Sequence, residues 1–123
     1  MNILIVDDSE LIRKRLVELI REFEEPTNIA LAGNATEAYS ACSERYPDVI
    51  ILDIHLPGEN GIKILEKIRK KNKEVKILIL TNFPYPQYRK KCMELGTDFF
   101  LDKTNEFASI RGIMRTIYDG KGV

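Results

Sequence analysis

Short apolar runs that stop at polar residues alternate along this chain with longer segments whose apolar residues recur at helical spacing. Few folds accommodate that alternation. The first run, Ile3-Leu4-Ile5-Val6, stops at Asp7-Asp8. Continuous apolar runs of this kind suit strands of a parallel sheet buried on both faces. Leu11, Ile12, Leu16, Val17, Leu19, Ile20 and Phe23 then follow a helical period. Ser9 stands where that helix needs an N-cap, and Pro26 ends the pattern. A second strand is expected over 28–33, and Asn34-Ala35-Thr36-Glu37 resembles a capping box opening a helix to about Tyr46, where Pro47 stops it. The third strand, 49–52, ends at Asp53, and the turn-rich segment from His55 to Gly61 leads into a helix carrying Ile62, Ile64, Leu65 and Ile68. A fourth strand over 75–80 ends at Thr81, and the next helix runs from about Tyr88 to a stop at Gly96. The fifth strand, 98–101, is followed by Lys103 and by a last helix that Thr104 or Asn105 caps and that carries Phe107, Ile110, Ile113, Met114 and Ile117. Five strand–helix pairs predict an α/β chain: a parallel sheet with right-handed crossovers and helices on both faces, one domain over 1–123 with no output domain.

The strand-ending residues carry the chemistry. In an open parallel sheet, ligands bind beyond the carboxyl ends of the strands. Asp7, Asp8, Asp53, Thr81 and Lys103 therefore converge on one pocket, although they are far apart in sequence. Three carboxylates in one small site repel one another unless a cation or proton compensates. Oxygen-only, carboxylate-rich sites favour a hard cation such as Mg2+, which keeps several waters and also ligates phosphate. A carboxylate nucleophile, a divalent ion, an ammonium group and a hydroxyl are what phosphoryl transfer requires.

This set resembles the receiver domains of two-component response regulators, over essentially the whole chain. The resemblance rests on Asp7-Asp8 after the first strand, Asp53 followed by Leu56-Pro57-Gly58 and Gly61, Thr81 after the fourth strand and Lys103 after the fifth. The fold it implies is the flavodoxin-like (βα)5 three-layer sandwich with a five-stranded sheet in the order 2-1-3-4-5. It implies that Asp53 accepts a phosphoryl group from a sensor histidine kinase, a phosphotransfer protein or a small phosphodonor. Asp8, Asp53 and the backbone carbonyl of His55 would bind Mg2+, with Asp7 acting through water. Lys103 would pair with Asp53 and then with the phosphoryl group. Thr81 would swing toward a phosphoryl oxygen and Phe100 would occupy the vacated space, remodelling the surface of the fourth helix, fifth strand and fifth helix that a downstream protein, or a second copy of the phosphorylated chain, would read. The pattern departs from the family's at Asn82, where a small residue is usual, and at Thr104, where many receivers have proline.

Composition narrows the function classes. With 19 basic and 19 acidic side chains the net charge is zero, which argues against direct capture of nucleic acid or anionic membrane. Cys42 and Cys92 lack CxxC spacing and read as buried or half-buried apolar groups. The first residues have no secretory pattern and no run approaches a membrane span, so the expected setting is cytoplasmic. A flavodoxin-like electron carrier is disfavoured because Asp7-Asp8-Ser9 would repel a flavin phosphate. An aspartyl phosphatase is disfavoured because His55 stands where its second acid would be. A stand-alone receiver is the main reading, and the receiver piece of a larger DNA-binding regulator is the alternative. Lys67, Arg69, Lys70, Lys71, Lys73 and Lys76 read as a solvated helix face, while Arg89, Lys90 and Lys91, with Pro84, Tyr85, Pro86 and Tyr88, mark a candidate contact patch.

Overall fold

A computed structural model describes residues 1–121 of the chain. Five strands, β1 (Asn2–Val6), β2 (Asn28–Ala32), β3 (Val49–Leu52), β4 (Lys76–Thr81) and β5 (Phe99–Asp102), form one parallel sheet in the order β2-β1-β3-β4-β5. The helices between and after them are α1 (Glu10–Arg21), α2 (Ala35–Glu44), α3 (Gly61–Lys71), α4 (Pro86–Glu94) and α5 (Ser109–Lys121).

The two-residue period of the strands divides the core into two layers. Leu4, Val6, Ile50, Leu52, Ile77 and Ile79 pack with Ala38, Ile64, Leu65, Ile68 and Cys92, from α2, α3 and α4. Ile3, Ile5, Ile51, Leu78 and Leu80 pack on the opposite side with Leu16, Ile20, Ile110 and Met114, from α1 and α5. This is why the central runs 3–6, 49–52 and 77–80 are apolar at every position. The register pairs Val6 with Leu52 and Leu52 with Ile79. The residues that follow, Asp7 and Asp53, therefore leave neighbouring strands side by side, and the Asp53 amide donates to the Val6 carbonyl at 2.9 Å.

Two helix starts and one cap differ from the sequence expectation. Helix α4 begins at Pro86, two residues before Tyr88, because proline is already set for the first helical position. At the second helix, Asn34 caps the Glu37 amide at 2.9 Å, but the Glu37 carboxylate returns to the Gly33 amide (2.6 Å) instead of closing a box on Asn34. Helix α5 begins at Ser109, so neither Thr104 nor Asn105 caps it. Asp102 holds both in a turn, accepting from the Thr104 amide at 2.9 Å and from Asn105 Nδ2 at 2.8 Å, and Phe107 packs on the second core layer before the helix starts.

One member of the basic run is not solvated. Arg69 is buried and donates to the carbonyls of Gly96 (3.0 Å), Asn72 (3.2 Å) and Val75 (2.7 Å) and to Asp98 Oδ2 (3.0 Å), which also accepts from the Ile77 amide. A single guanidinium thus ties the end of α3 to the start of β4 and to the turn before β5. Arg69→Met is expected to cost about 2–4 kcal/mol in urea denaturation, because buried acceptors lose their donor, while Lys73→Met stays within about 0.5 kcal/mol. Equal costs for the two variants would contradict this reading.

Candidate functional site

The loops that leave β1, β3, β4 and β5 meet at one rim of the sheet. Asp7 is 2% exposed there and is fixed from several directions. Its amide donates to the Ala32 carbonyl at 3.0 Å, its Oδ1 accepts from the Ser9 amide at 2.9 Å, and its carbonyl accepts from Arg13 Nη1 at 2.7 Å. Ser9 in turn caps α1 by accepting from the Ile12 amide at 3.2 Å. The residue between them, Asp8, is exposed. Asp53, 6% exposed, begins the loop after β3. One carboxylate oxygen from each of Asp7, Asp8 and Asp53 lies within 4.8 Å of the others.

Lys103 supplies the compensating charge. Its amide donates to the Thr81 carbonyl at 2.8 Å, which carries its side chain back across the sheet rim. Its ammonium lies 2.7 Å from Asp7 Oδ2 and 3.3 Å from Asp53 Oδ2. The resemblance implied a pairing with Asp53; the structure shares Lys103 between both carboxylates and sets it nearer Asp7. Burial pushes the Asp53 carboxyl above its ordinary range, the neighbouring Asp7 charge acts in the same direction, and Lys103 opposes them. The cluster is therefore short of positive charge, the condition under which a divalent cation is bound.

A cleft of about 260 Å³ opens over these groups, lined by Asp8, Asp53, Lys103, Asn82, His55 and Phe83, together with Ser9 and Ile12. That is below the usual range for sites that enclose a drug-sized ligand and suits a phosphoryl group with a hydrated ion. Thr81 is fully buried beside it, and its hydroxyl accepts from the Phe83 amide at 3.0 Å. The His55 side chain is exposed, with its ring 4.3 Å from the Phe83 ring and 5.8 Å from that of Tyr88. Tyr85 extends this aromatic file, 6.0 Å from Phe83 and 5.5 Å from Tyr88. Tyr88 packs against the core whereas Tyr85 stays exposed, so the proline- and aromatic-rich loop is half packed and half presented to solvent. Phe100 lies inside, 4% exposed, under the Arg89 guanidinium at 4.8 Å.

Asp7, Asp8, Asp53 and Lys103 thus meet directly, and Thr81 borders them through its loop. Phe100 belongs to the adjoining α4–β5 surface. Sequence reasoning took Ser9 only as a helix cap and gave Arg13 no role. The spacing of Asp7 to Ser9 carried a signal, since an aspartate two residues before an amide can close a local turn. Nothing in the sequence marked Arg13, whose partner is a backbone carbonyl.

Residues 3–115 match the family model described as the response regulator receiver domain. The oxygen regulatory protein NreC of Staphylococcus epidermidis is 33% identical over 122 residues, covering 98% of this chain and 56% of that protein. The transcriptional regulatory protein LnrK of Bacillus subtilis is 31% identical over 120 residues, covering 98% of this chain and 54% of that one. The chain spans about half the length of the curated relatives it matches. Among solved structures, a DNA-binding response regulator of the LuxR family from Staphylococcus aureus superposes with a TM-score of 0.81 at 32% identity, covering 96% of each chain.

Proposed function

Because this chain belongs to the response regulator receiver domain family, we propose that it is a phosphorylation-controlled switch whose acceptor is Asp53. A carboxylate oxygen of Asp53 attacks the phosphorus of a phosphohistidine on a sensor histidine kinase or phosphotransfer protein, or of a small phosphodonor. The bond from phosphorus to the donor breaks, the donor leaves with its electron pair, and Asp53 becomes an acyl phosphate. The observation that carries this reading is the gathering of three carboxylates around one ammonium at the mouth of a small cleft.

Asp8 and Asp53 with the His55 carbonyl would hold Mg2+, and Asp7 would act through water. When bound, the ion adds positive charge at the phosphoryl oxygens, which offsets repulsion between nucleophile and phosphate. Lys103 exchanges its contact with Asp53 for one with the phosphoryl group while keeping Asp7. The Thr81 hydroxyl, which accepts from the Phe83 amide before transfer, turns to donate to a phosphoryl oxygen, and the freed amide alters the loop ahead of α4. Phe100 and Arg89 lie on the surface that this loop controls, where a downstream protein or a second phosphorylated copy docks. Membership of the receiver family supports a cytoplasmic setting for the switch; among the described residues no helix is long and apolar enough to cross a membrane.

Beryllium fluoride, a tetrahedral mimic of the bound phosphoryl group, tests the site without a kinase. With Mg2+ present, titration is expected to shift the amide resonances of Asp8, Asp53, Thr81 and Lys103 to saturation, and EDTA to reverse the shifts. Shifts that persist in EDTA, or that appear only elsewhere, would contradict the proposal.

A second reading has an observation in its favour: the matched relatives are transcriptional and oxygen regulators about twice as long. On that reading these residues are the receiver of a DNA-binding regulator, and phosphorylation acts on the attached module. An immunoblot of cells that produce the protein separates the two by apparent size.

A further inference from the structure

Helices α2 and α3 leave between them a groove of about 590 Å³, on a different surface from the acidic cleft. Its walls are built at helical spacing: Tyr39, Cys42 and Tyr46 run along α2 and just past its end, and Ile68, Lys70 and Lys71 face them from the last turns of α3. Tyr46 is 48% exposed, one of few large apolar side chains so open to solvent.

The polar groups of this groove are unevenly used. The Ser43 hydroxyl is turned back onto the Tyr39 carbonyl at 3.1 Å. The Lys67 ammonium is held by Glu59 Oε1 at 2.7 Å, 5.6 Å from the centre of the Tyr39 ring. Lys70 and Lys71 make no ion pair among the described residues, although both flank the apolar floor. The groove therefore offers ring faces, the Cys42 thiol, the hydroxyls of Tyr39 and Tyr46, and two cations outside any ion pair.

We propose that the α2–α3 groove docks an acidic amphipathic helix of a partner protein. Charge complementarity selects the acidic partner, since Lys70 and Lys71 form no ion pair among the described residues and the carboxylate near Lys70, Glu66, is already bridged to Lys63 at 3.3 Å. The parallel stripes select a helix, because apolar side chains at i, i+3 and i+7 fit between two helical walls. An extended strand would need an open sheet edge for its backbone, and helix surfaces do not offer one. The 10 residues of α2 span about 15 Å, so the partner contributes about three turns. This surface is independent of phosphoryl chemistry at Asp53, and its test needs neither Mg2+ nor phosphodonor.

The probe is a fluorescein-labelled, helix-stapled peptide of about three turns with leucines at i, i+3 and i+7 and glutamates elsewhere, titrated into the full chain by anisotropy. Saturable binding is expected, about tenfold weaker for K70E/K71E and weaker in the same direction for the milder K70Q/K71Q, because reversing the two charges turns their attraction for the glutamates into repulsion. Bound peptide should slow alkylation of Cys42, while Cys92, which is 0% exposed, stays unreactive throughout. A scrambled peptide of the same composition that binds equally well overturns the proposal. So does binding that leaves Cys42 alkylation unchanged, or binding that does not saturate by about 1 mM. Self-association that K70E/K71E abolishes would assign the groove to a second copy and overturn it as well.

Discussion

Lys103→Met is expected to lower the unfolding free energy by about 3–5 kcal/mol at neutral pH in EDTA, because it leaves two buried carboxylates facing each other without a cation. Asp7 and Asp53 are 2% and 6% exposed, and Lys103 is the ammonium both of them reach. The loss should depend on pH in a definite direction. Burial raises the Asp53 carboxyl above its ordinary 3.8, so the folded chain holds this proton more tightly than the unfolded chain does. The contribution of that group to stability is present in full below 3.8 and is lost as pH rises through the folded value. Lys103 is the main influence opposing the rise, so its removal extends the window upward. Urea denaturation should find the deficit of Lys103→Met smaller at about pH 5 than at about pH 7.5, by at least 1 kcal/mol. Asp7→Asn in the same chain should recover part of the loss, since it removes one of the two stranded charges. Equal stability of Lys103→Met and wild type at both pH values would show that the cluster is not held by this ammonium.

The second large effect comes from a residue without a side chain. A methyl group on Gly61 would overlap the Asp53 carbonyl oxygen, with the Asp53 carbonyl carbon at 2.8 Å and Ile54 Cα at 2.9 Å. All three are backbone atoms, so no rotamer change relieves the clash. The Gly61 amide also donates to the Ile54 carbonyl at 2.8 Å, which fastens the start of α3 to the loop carrying Asp53, the proposed acceptor. Gly61→Ala must push that loop away. We expect a loss of about 2–3 kcal/mol from overpacking and a fall of at least about tenfold in the rate of phosphorylation by acetyl phosphate, since displacements of about 1 Å misalign a nucleophile. Gly112 on α5 is the control: nothing lies within 4 Å of an added methyl there, and Gly112→Ala should stabilise the helix by about 0.5–1 kcal/mol with unchanged phosphorylation. Gly61→Ala with wild-type kinetics would mean that the acceptor loop tolerates movement that this geometry forbids.

The sheet and the gathering of charged residues at its rim were legible because strand ends are marked twice, by the stop of an apolar run and by the polar residues that follow it. Asp7, Asp53, Thr81 and Lys103 could each be placed this way, and parallel pairing did the rest. What stayed illegible depends on backbone partners. Arg69 reads as one cation in a charged run, but most of its acceptors are carbonyls, which leave no trace in a sequence. The late start of α5 follows from Asp102 capturing the next amides, although Thr104 and Asn105 are equally acceptable caps by residue type. The sharing of Lys103 between two carboxylates is set by where its amide is anchored, on Thr81, and is invisible to any motif.

The account stands on Asp53 as the only carboxylate that takes the phosphoryl group. Intact mass after incubation with acetyl phosphate and Mg2+ measures that directly. Wild type should gain the mass of one phosphoryl group and lose it in alkaline hydroxylamine, while folded Asp53→Asn gains none. Equal gain by wild type and Asp53→Asn, or none by wild type, would contradict it.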